Sequence, residues 1–160
     1  MKTVTTVTVG SHELAARMNS SCARGFFALI LAQALHSAEE IRFRLYEVFA
    51  PARSVASLIS DDPARGFFLG NCLLVSFGLW CYFARVRVGH PSATSWMWFW
   101  VVLETLNGVG HPAIALARGG YFPGVVTAPL LFGFAMYLGT KLSHDECEGS
   151  REKEEGRGAS

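Results

Sequence analysis

The sequence predicts an all-α fold, a polytopic membrane helix bundle with four transmembrane helices. Hydrophobic residues make up 51% of the 160-residue chain and charged residues 17%, and both fractions differ from those of an ordinary soluble domain in the direction of membrane proteins. Six of the thirteen acidic residues follow position 143, so the rest of the chain is poorer in charge than the average indicates. The chain also holds several apolar stretches close to the roughly 20 residues that a helix needs to cross a bilayer.

Three of the four predicted spans are apolar over nearly their whole length, at 66–84, 93–117 and 123–142. Arginines flank the first two of them, at Arg65, Arg85 and Arg118. The last span follows the dipeptide Tyr-Phe, and Pro123 suits the first turn of a helix because its missing N–H needs no partner there. We therefore expect three helices with these bounds.

The earliest span differs from the others because polar residues lie inside it. Residues 25–35 are apolar but run directly into the segment His36-Ser-Ala-Glu39-Glu40. Eleven apolar residues are too few to cross a bilayer, whereas continuing the helix through the polar segment gives the required length. We therefore predict a first span at 25–46 with this polar segment within it.

The same region also has features of a secretory signal peptide. Arg24, a short apolar run and the tripeptide Ala32-Gln-Ala34 imitate a charged region, a hydrophobic region and a cleavage site. For a signal peptide, however, the region before the apolar run is long and the apolar run itself is short. This alternative stays open, and the transmembrane interpretation is favoured because the polar residues described below would otherwise lose their partners.

A chain of this length has room for one domain. We predict a polar N-terminal lead-in at residues 1–22 and the four-helix transmembrane domain at 23–143. We predict that residues 144–160 form a disordered charged tail. Residues 42–65 mix aromatic side chains with arginines and are typical of an interfacial loop, with a short amphipathic turn at 55–59.

Lysines and arginines determine the predicted orientation. In a four-span topology nine of them lie on the side of the two termini and five on the other side, which favours both termini in the cytoplasm. The chain has no basic stripe and a net charge of +1, so no nucleic acid is expected as a partner. We expect the lipid bilayer to surround the helices. A bundle of only four helices can also associate with further copies of itself into an oligomer.

Six polar residues within the predicted spans form the candidate site: His36, Glu39, Glu40, Glu104, Asn107 and His111. Their spacing places each group of three on one face of its helix. Ionisable residues in lipid cost roughly 2.5–3.5 kcal/mol each at a helix centre, so they normally face the bundle interior and have a partner or a function. His36 and Glu104 each lie about 16 Å along their spans at 1.5 Å per residue. We therefore expect the two groups to touch in one pocket.

Each of these residues also has a purely structural interpretation. Glu39 and Glu40 can lie at the membrane interface beside solvated arginines. His111 can be a polar helix end, and Glu104 can make an interhelical hydrogen bond. Asn71, in the second span, either reaches the pocket or binds a backbone carbonyl. The sequence leaves these alternatives open.

The polar residues fall in short motifs that resemble those of a known family. His36-Ser-Ala-Glu39-Glu40 resembles the signature of the HXXEE family of small multi-span membrane proteins. Asn107-Gly-Val-Gly-His111 and Tyr121-Phe-Pro-Gly124 resemble the NxxxH and YxPG motifs of that family, in the same order. The resemblance implies a polytopic membrane domain of uncharacterised function and supplies no reaction. It also implies that the HXXEE and NxxxH residues belong to one site, whereas Glu104 is included on depth and helical face alone.

Three classes of function need such a set of side chains. The first is a metal site, because imidazole and carboxylate groups suit zinc or iron; the candidate ligands are His36, Glu39, Glu40, Glu104 and His111. The second is metal-free acid–base catalysis on a lipid-soluble small molecule, because a buried carboxyl beside an imidazole exchanges protons near neutral pH. Asn107 lies in the same predicted pocket. The third is a non-enzymatic membrane protein, such as a transporter, a proton relay or an assembly subunit.

Overall fold

The part of the chain that the computed structural model describes, residues 20–144, consists of helices and their connections. Its helices are α1 Ser20–Arg42, α2 Leu45–Val48, α3 Ala50–Ile59, α4 Pro63–Cys81, α5 Ala93–Arg118 and α6 Ala128–Ser143. A π-helical turn at Tyr82–Val86 extends α4. No strand occurs between residues 20 and 144, which confirms the all-α class. The predicted lead-in and tail fall mainly on 1–19 and 145–160, outside the described residues.

One helix of this part is both long and apolar enough to cross a membrane. It is the 24-residue stretch Pro63–Val86, α4 with its π-helical turn, whose most apolar window has a mean hydropathy of 1.7. α6 has only 16 residues, and a helix of at least 18 residues is needed to cross a membrane. Within α4, the Asn71 side chain donates to the Phe67 carbonyl at 3.0 Å. Of the two roles open to Asn71, the structure therefore shows the backbone contact.

α1 ends earlier than the sequence predicts. The predicted span runs to position 46, but α1 ends at Arg42 and Arg44 adopts a left-handed conformation with a φ of 53°. A left-handed residue cannot continue a right-handed helix, so the chain restarts as the short helix α2. At its other end α1 begins at Ser20, before the predicted start at 25.

α6 begins later than the sequence predicts, at Ala128 rather than at 123. Residues 123–127 form a turn, in which Gly124 has a φ of 95°. That conformation lies outside the helical range and suits glycine. Pro129 and not Pro123 is the proline in the first turn of α6. A turn, and not a helix, therefore lies next to the candidate site.

α4 starts before the predicted position 66 because Asp62 caps it. Oδ1 of Asp62 accepts hydrogen bonds from the backbone N–H groups of Ala64 at 2.9 Å and Arg65 at 3.4 Å, which satisfies free amides at a helix start. One turn later, a Cβ on Gly66 would overlap the carbonyl oxygen of Ala56 in α3. The absence of a side chain at Gly66 thus allows α3 to pack closely on α4.

Two apolar clusters form the core on either side of the polar residues. The larger joins α1, α4, α5 and α6 and includes Phe26, Ile30, Met97, Trp100 and Leu138. The smaller consists of Leu45, Ala56, Phe67 and Phe122. Along α1 and α5 the polar residues come between the segments that enter these two clusters. Burial of apolar surface is the main force that stabilises the core. Because apolar surface is buried on both sides of the polar residues, these residues are held inside the protein.

Candidate functional site

Two pairs of polar side chains connect α1 with α5. Gln33 meets Glu104, and seven residues farther along each helix Glu40 meets His111. Seven residues are about two helical turns, or roughly 10.5 Å. Because the spacing is the same on both helices, α1 and α5 run in the same direction, as a four-span topology requires.

The Glu40 carboxylate lies between two imidazole rings. Its Oε1 is 3.5 Å from Nε2 of His36 and 3.3 Å from Nε2 of His111. The ring centroids are 4.6 Å apart and the ring planes are nearly perpendicular. His36 is fully buried, whereas Glu40 and His111 are 9% and 8% exposed. We refer to His36, Glu40 and His111 as the trio, and their contact confirms the prediction that the polar groups of the first and third predicted spans touch.

A chain of hydrogen bonds determines which nitrogen of His36 carries a proton. The Thr127 hydroxyl donates to Oε2 of Glu39 at 2.6 Å, and its oxygen lies 2.8 Å from Nδ1 of His36. A hydroxyl has one proton to donate, so Thr127 accepts the second hydrogen bond and Nδ1 of His36 is protonated. In the neutral ring, the lone pair of His36 is then on Nε2, which faces Glu40.

The His111 ring is oriented by the backbone of the 123–127 turn. Its Nδ1 lies 2.6 Å from the carbonyl oxygen of Pro123, which can only accept. Nδ1 of His111 therefore carries the proton and Nε2 presents its lone pair to Glu40. Gly124 permits this approach, because a Cβ there would overlap the rings of both His111 and His36.

Three acceptor atoms thus converge in one buried space. They are Nε2 of His36, Nε2 of His111 and a carboxylate oxygen of Glu40, and all three lie within 4.8 Å of one another. Within residues 20–144, Nε2 of His36 is buried and has no hydrogen-bond partner. A buried polar atom without a partner is unusual, and facing lone pairs repel. The space therefore favours a positively charged occupant, either a proton or a metal ion.

Glu39 faces away from the trio, toward the start of α6. Its Oε1 accepts from the Tyr121 hydroxyl at 2.8 Å and from the backbone N–H groups of Gly124 and Val126 at 3.1 and 3.2 Å. Its Oε2 accepts from the N–H of Thr127 at 2.9 Å and from the hydroxyl of Thr127 at 2.6 Å. Five donors occupy the lone pairs of this carboxylate. The structure therefore places Glu39 beside the trio and not within it.

Glu104 and Asn107 belong to a separate hydrogen-bond network. The fully buried Glu104 accepts from the Asn107 amide at 3.2 Å. With its nitrogen toward Glu104, the Gln33 amide donates to both carboxylate oxygens at 2.8 and 3.2 Å, and its oxygen accepts from the Ser37 hydroxyl at 3.0 Å. We refer to these four residues as the Glu104 network. No hydrogen bond in the described part of the chain joins this network to the trio.

Sequence reasoning missed Gln33, Ser37 and Thr127. Gln33 lies seven residues before Glu40 on the same helical face, and that spacing could have included it in the candidate site. Thr127 follows the YxPG motif by three residues, but the conformation of the turn brings it to His36. No local pattern in the sequence indicates that contact.

The chain belongs to the HXXEE family. The family is described as a protein of unknown function with HXXEE motif, and it matches residues 27–138, a range that includes the trio, Glu39 and the Glu104 network. No curated protein and no solved structure matches the chain. The comparisons therefore confirm the family that the motifs resemble, and the family description names neither an activity nor a membrane.

Proposed function

We propose that this HXXEE protein is an integral membrane protein that binds one divalent metal ion, zinc or iron(II), through His36, Glu40 and His111. The ion acts on a lipid-soluble small molecule that reaches the trio from the bilayer. The observation that carries this proposal is the convergence of three buried acceptor atoms, two of them on rings whose other nitrogen is already hydrogen-bonded.

The two distances from the Glu40 carboxylate to the imidazoles fit a transition-metal ion. Zinc binds imidazole nitrogen and carboxylate oxygen at about 2.0–2.2 Å in tetrahedral geometry, so two ligand atoms of one ion stand roughly 3.3–3.5 Å apart. Oε1 of Glu40 lies 3.5 and 3.3 Å from the Nε2 atoms of His36 and His111. Magnesium and calcium prefer ligand sets made of oxygen alone, so the two imidazoles favour zinc or iron.

The partners of the two Nδ1 atoms support the same proposal. A histidine that binds a metal commonly donates its other ring N–H to a carbonyl, a carboxylate or another fixed acceptor, which sets the tautomer and the ring orientation. His111 donates to the Pro123 carbonyl, and His36 donates to Thr127. Both rings therefore offer Nε2 to a shared ion.

The proposed ligand set is smaller than the set of five that the sequence indicates. Glu39 is occupied by five donors, and Glu104 accepts from the amides of Gln33 and Asn107. Amide N–H groups beside a carboxylate oppose a cation at the same place. Three protein ligands leave a coordination position open for water or substrate, as in catalytic sites. An ion there would polarise a substrate oxygen or lower the pKa of a bound water.

The exposed surface supports a membrane environment for the trio. Large apolar side chains are exposed on all four long helices, among them Leu31, Leu73, Leu106 and Phe132. The apolar window of Pro63–Val86 is only 17% buried, whereas a helix that is apolar all round normally lies in a protein core or in lipid. We therefore propose α1, α4, α5 and α6 as four spans, the last completed by the 123–127 turn because α6 alone has only 16 residues. α3 lies at the interface, because Val55, Leu58 and Ile59 are exposed on it.

The orientation that we propose, with both termini in the cytoplasm, rests on the nine-to-five distribution of lysines and arginines. Labelling of single cysteines on the two sides of the bundle decides between this orientation and the opposite one.

Metal analysis of the purified protein tests the proposed function. The full chain, isolated with an affinity tag that contains no histidine, should hold about one zinc or iron ion per molecule. The double variant His36→Ala, His111→Ala should hold almost none. His90→Ala is the matched control, because His90 is exposed and bonds Arg85 outside the trio. Equal metal content in the double variant, or none in the wild type after incubation with each metal, would contradict the proposal.

A metal-free proton relay is the second candidate function, and the position of Glu40 between two imidazoles favours it. A carboxylate 3.3 and 3.5 Å from two ring nitrogens can pass a proton from one ring to the other, and chains of Glu and His inside membranes mark ion pathways. This non-enzymatic function predicts metal-free protein and a proton flux in proteoliposomes that Glu40→Gln abolishes.

A further inference from the structure

We propose that Glu39 is a positioning residue, which does not bind the metal but fixes both histidines of the trio through the 123–127 turn. This inference rests on the proposed function, because it concerns how the metal ligands are aligned. It assigns different roles to the two adjacent carboxylates of the HXXEE motif: Glu40 is a ligand, and Glu39 holds the structure that orients the other two ligands.

Glu39 ties α1 to the start of α6. Its carboxylate accepts from the backbone N–H groups of Gly124, Val126 and Thr127 at 3.1, 3.2 and 2.9 Å. Within residues 20–144 these three N–H groups donate to no backbone carbonyl, and backbone N–H groups shielded from water need an acceptor, which the carboxylate supplies. The conformation of the turn therefore depends on the Glu39 carboxylate.

The turn that Glu39 holds supplies the partner of each imidazole. The Thr127 oxygen accepts from Nδ1 of His36, and the Pro123 carbonyl accepts from Nδ1 of His111. With both acceptors in place, each neutral ring keeps its hydrogen bond only if its proton is on Nδ1. One carboxylate thereby determines two tautomers and leaves both Nε2 atoms free for a metal.

Thr127 is the link through which Glu39 controls His36. If nothing took the proton of the hydroxyl, Thr127 could donate to Nδ1, and the ring proton would then move to Nε2, facing Glu40. Oε2 of Glu39 accepts that hydroxyl proton at 2.6 Å, a much shorter contact than the 3.4 Å to the alternative acceptor, the Gly124 carbonyl. Tyr121 donates to Oε1 of the same carboxylate at 2.8 Å; burial and then Glu39 raise the pKa of Tyr121 to about 12, so the phenol remains a donor at neutral pH.

Thr127→Val is the decisive variant, because it removes the hydroxyl and retains the shape of the side chain. It also leaves four of the five hydrogen bonds to Glu39 in place. Nitrogen NMR of the metal-free full chain, labelled at histidine, should show His36 protonated on Nδ1 in the wild type and a mixture of tautomers in the variant. Zinc affinity, measured by competition with a chelating indicator, should fall about 10–100-fold.

Two further variants separate positioning from general damage. Thr127→Ser keeps the hydroxyl and should restore both the tautomer and the zinc affinity. Thr140→Val makes the same substitution on α6, where the exposed hydroxyl donates to the Tyr137 carbonyl, and it should behave as the wild type. Glu39→Gln should change the tautomer signals in the same direction as Thr127→Val.

An unchanged His36 tautomer together with an unchanged zinc affinity in Thr127→Val would overturn the inference. Failure of the proposed function looks different. A wild-type protein that binds no zinc contradicts the metal site, whereas the tautomer measurement uses metal-free protein and still tests the link from Glu39 through Thr127 to His36.

Discussion

Glu39 and Glu40 are adjacent in the chain but face different partners. Successive residues of a helix point about 100° apart. Glu40, at i+4 from His36, reaches the imidazoles, whereas Glu39, at i+3, reaches the 123–127 turn. Spacing alone groups them because i+3 and i+4 both count as the same helical face. Which carboxylate enters the site depends on the neighbouring element that each one faces.

Gly124→Ala should destabilise the protein and remove metal binding. The new Cβ would overlap the rings of His111 and His36, and a φ of 95° is unfavourable for alanine. Together these effects should lower the free energy of unfolding by about 2–4 kcal/mol. Denaturant unfolding in detergent measures this change, and zinc content is measured on the same samples.

The control for this variant is Gly119→Ala. Gly119 also has a positive φ, 68°, but no neighbouring atom of residues 20–144 lies within 4 Å of an added Cβ. The control therefore isolates the cost of the backbone conformation, about 1–2 kcal/mol, and should retain zinc. Equal loss of stability and zinc in the two variants would contradict the close packing of Gly124 on the imidazoles.

Among the helices, the common direction of α1 and α5 could be predicted from the sequence, but their register could not. Counting from the predicted starts places His36 level with Glu104. In the structure Gln33 is level with Glu104 and Glu40 with His111, a displacement of three residues or about 4.5 Å. Register depends on how side chains of several helices pack together, which the apolar pattern of a single helix does not specify.

Glu104→Ala should destabilise the bundle without affecting the metal. The amides of Gln33 and Asn107 would lose their acceptor, and a buried donor left without a partner costs about 1–3 kcal/mol. We expect a loss of about 2–4 kcal/mol in the free energy of unfolding and an unchanged zinc content. Glu47→Ala is the control, because Glu47 is exposed and pairs with Arg44. Loss of zinc in Glu104→Ala would show that the Glu104 network and the trio act as one site.

At the scale of the whole molecule, the long helices and their order follow from apolar stretches with charged ends. The start of α6 at Ala128 rather than at 123 does not, because tertiary contacts override the local preference of Pro123 for a helix start. The five hydrogen bonds to Glu39 and the packing of Gly124 on two imidazoles favour the turn. A single sequence reports local preferences, whereas the hydrogen bonds to Glu39 join residues more than 80 positions apart.

Cysteine labelling tests the four-span topology. In that topology α3 and the turn after α4 lie on opposite sides of the membrane, and Ser57 and Val88 are exposed in these two places. With a membrane-impermeant maleimide on intact cells, only one of the variants Ser57→Cys and Val88→Cys should react, above the background of the unmodified chain. Reaction at position 57 would place the termini in the cytoplasm. Reaction at both positions would contradict a four-span bundle.

The most direct test of the metal site is X-ray absorption at the K-edge of the ion bound to the purified full-length protein. The trio predicts nitrogen and oxygen ligands at about 2.0–2.2 Å, with outer-shell scattering from two imidazole rings, and a changed spectrum in Glu40→Gln. Sulfur ligands at about 2.3 Å, or a spectrum without imidazole scattering, would contradict a metal site formed by His36, Glu40 and His111.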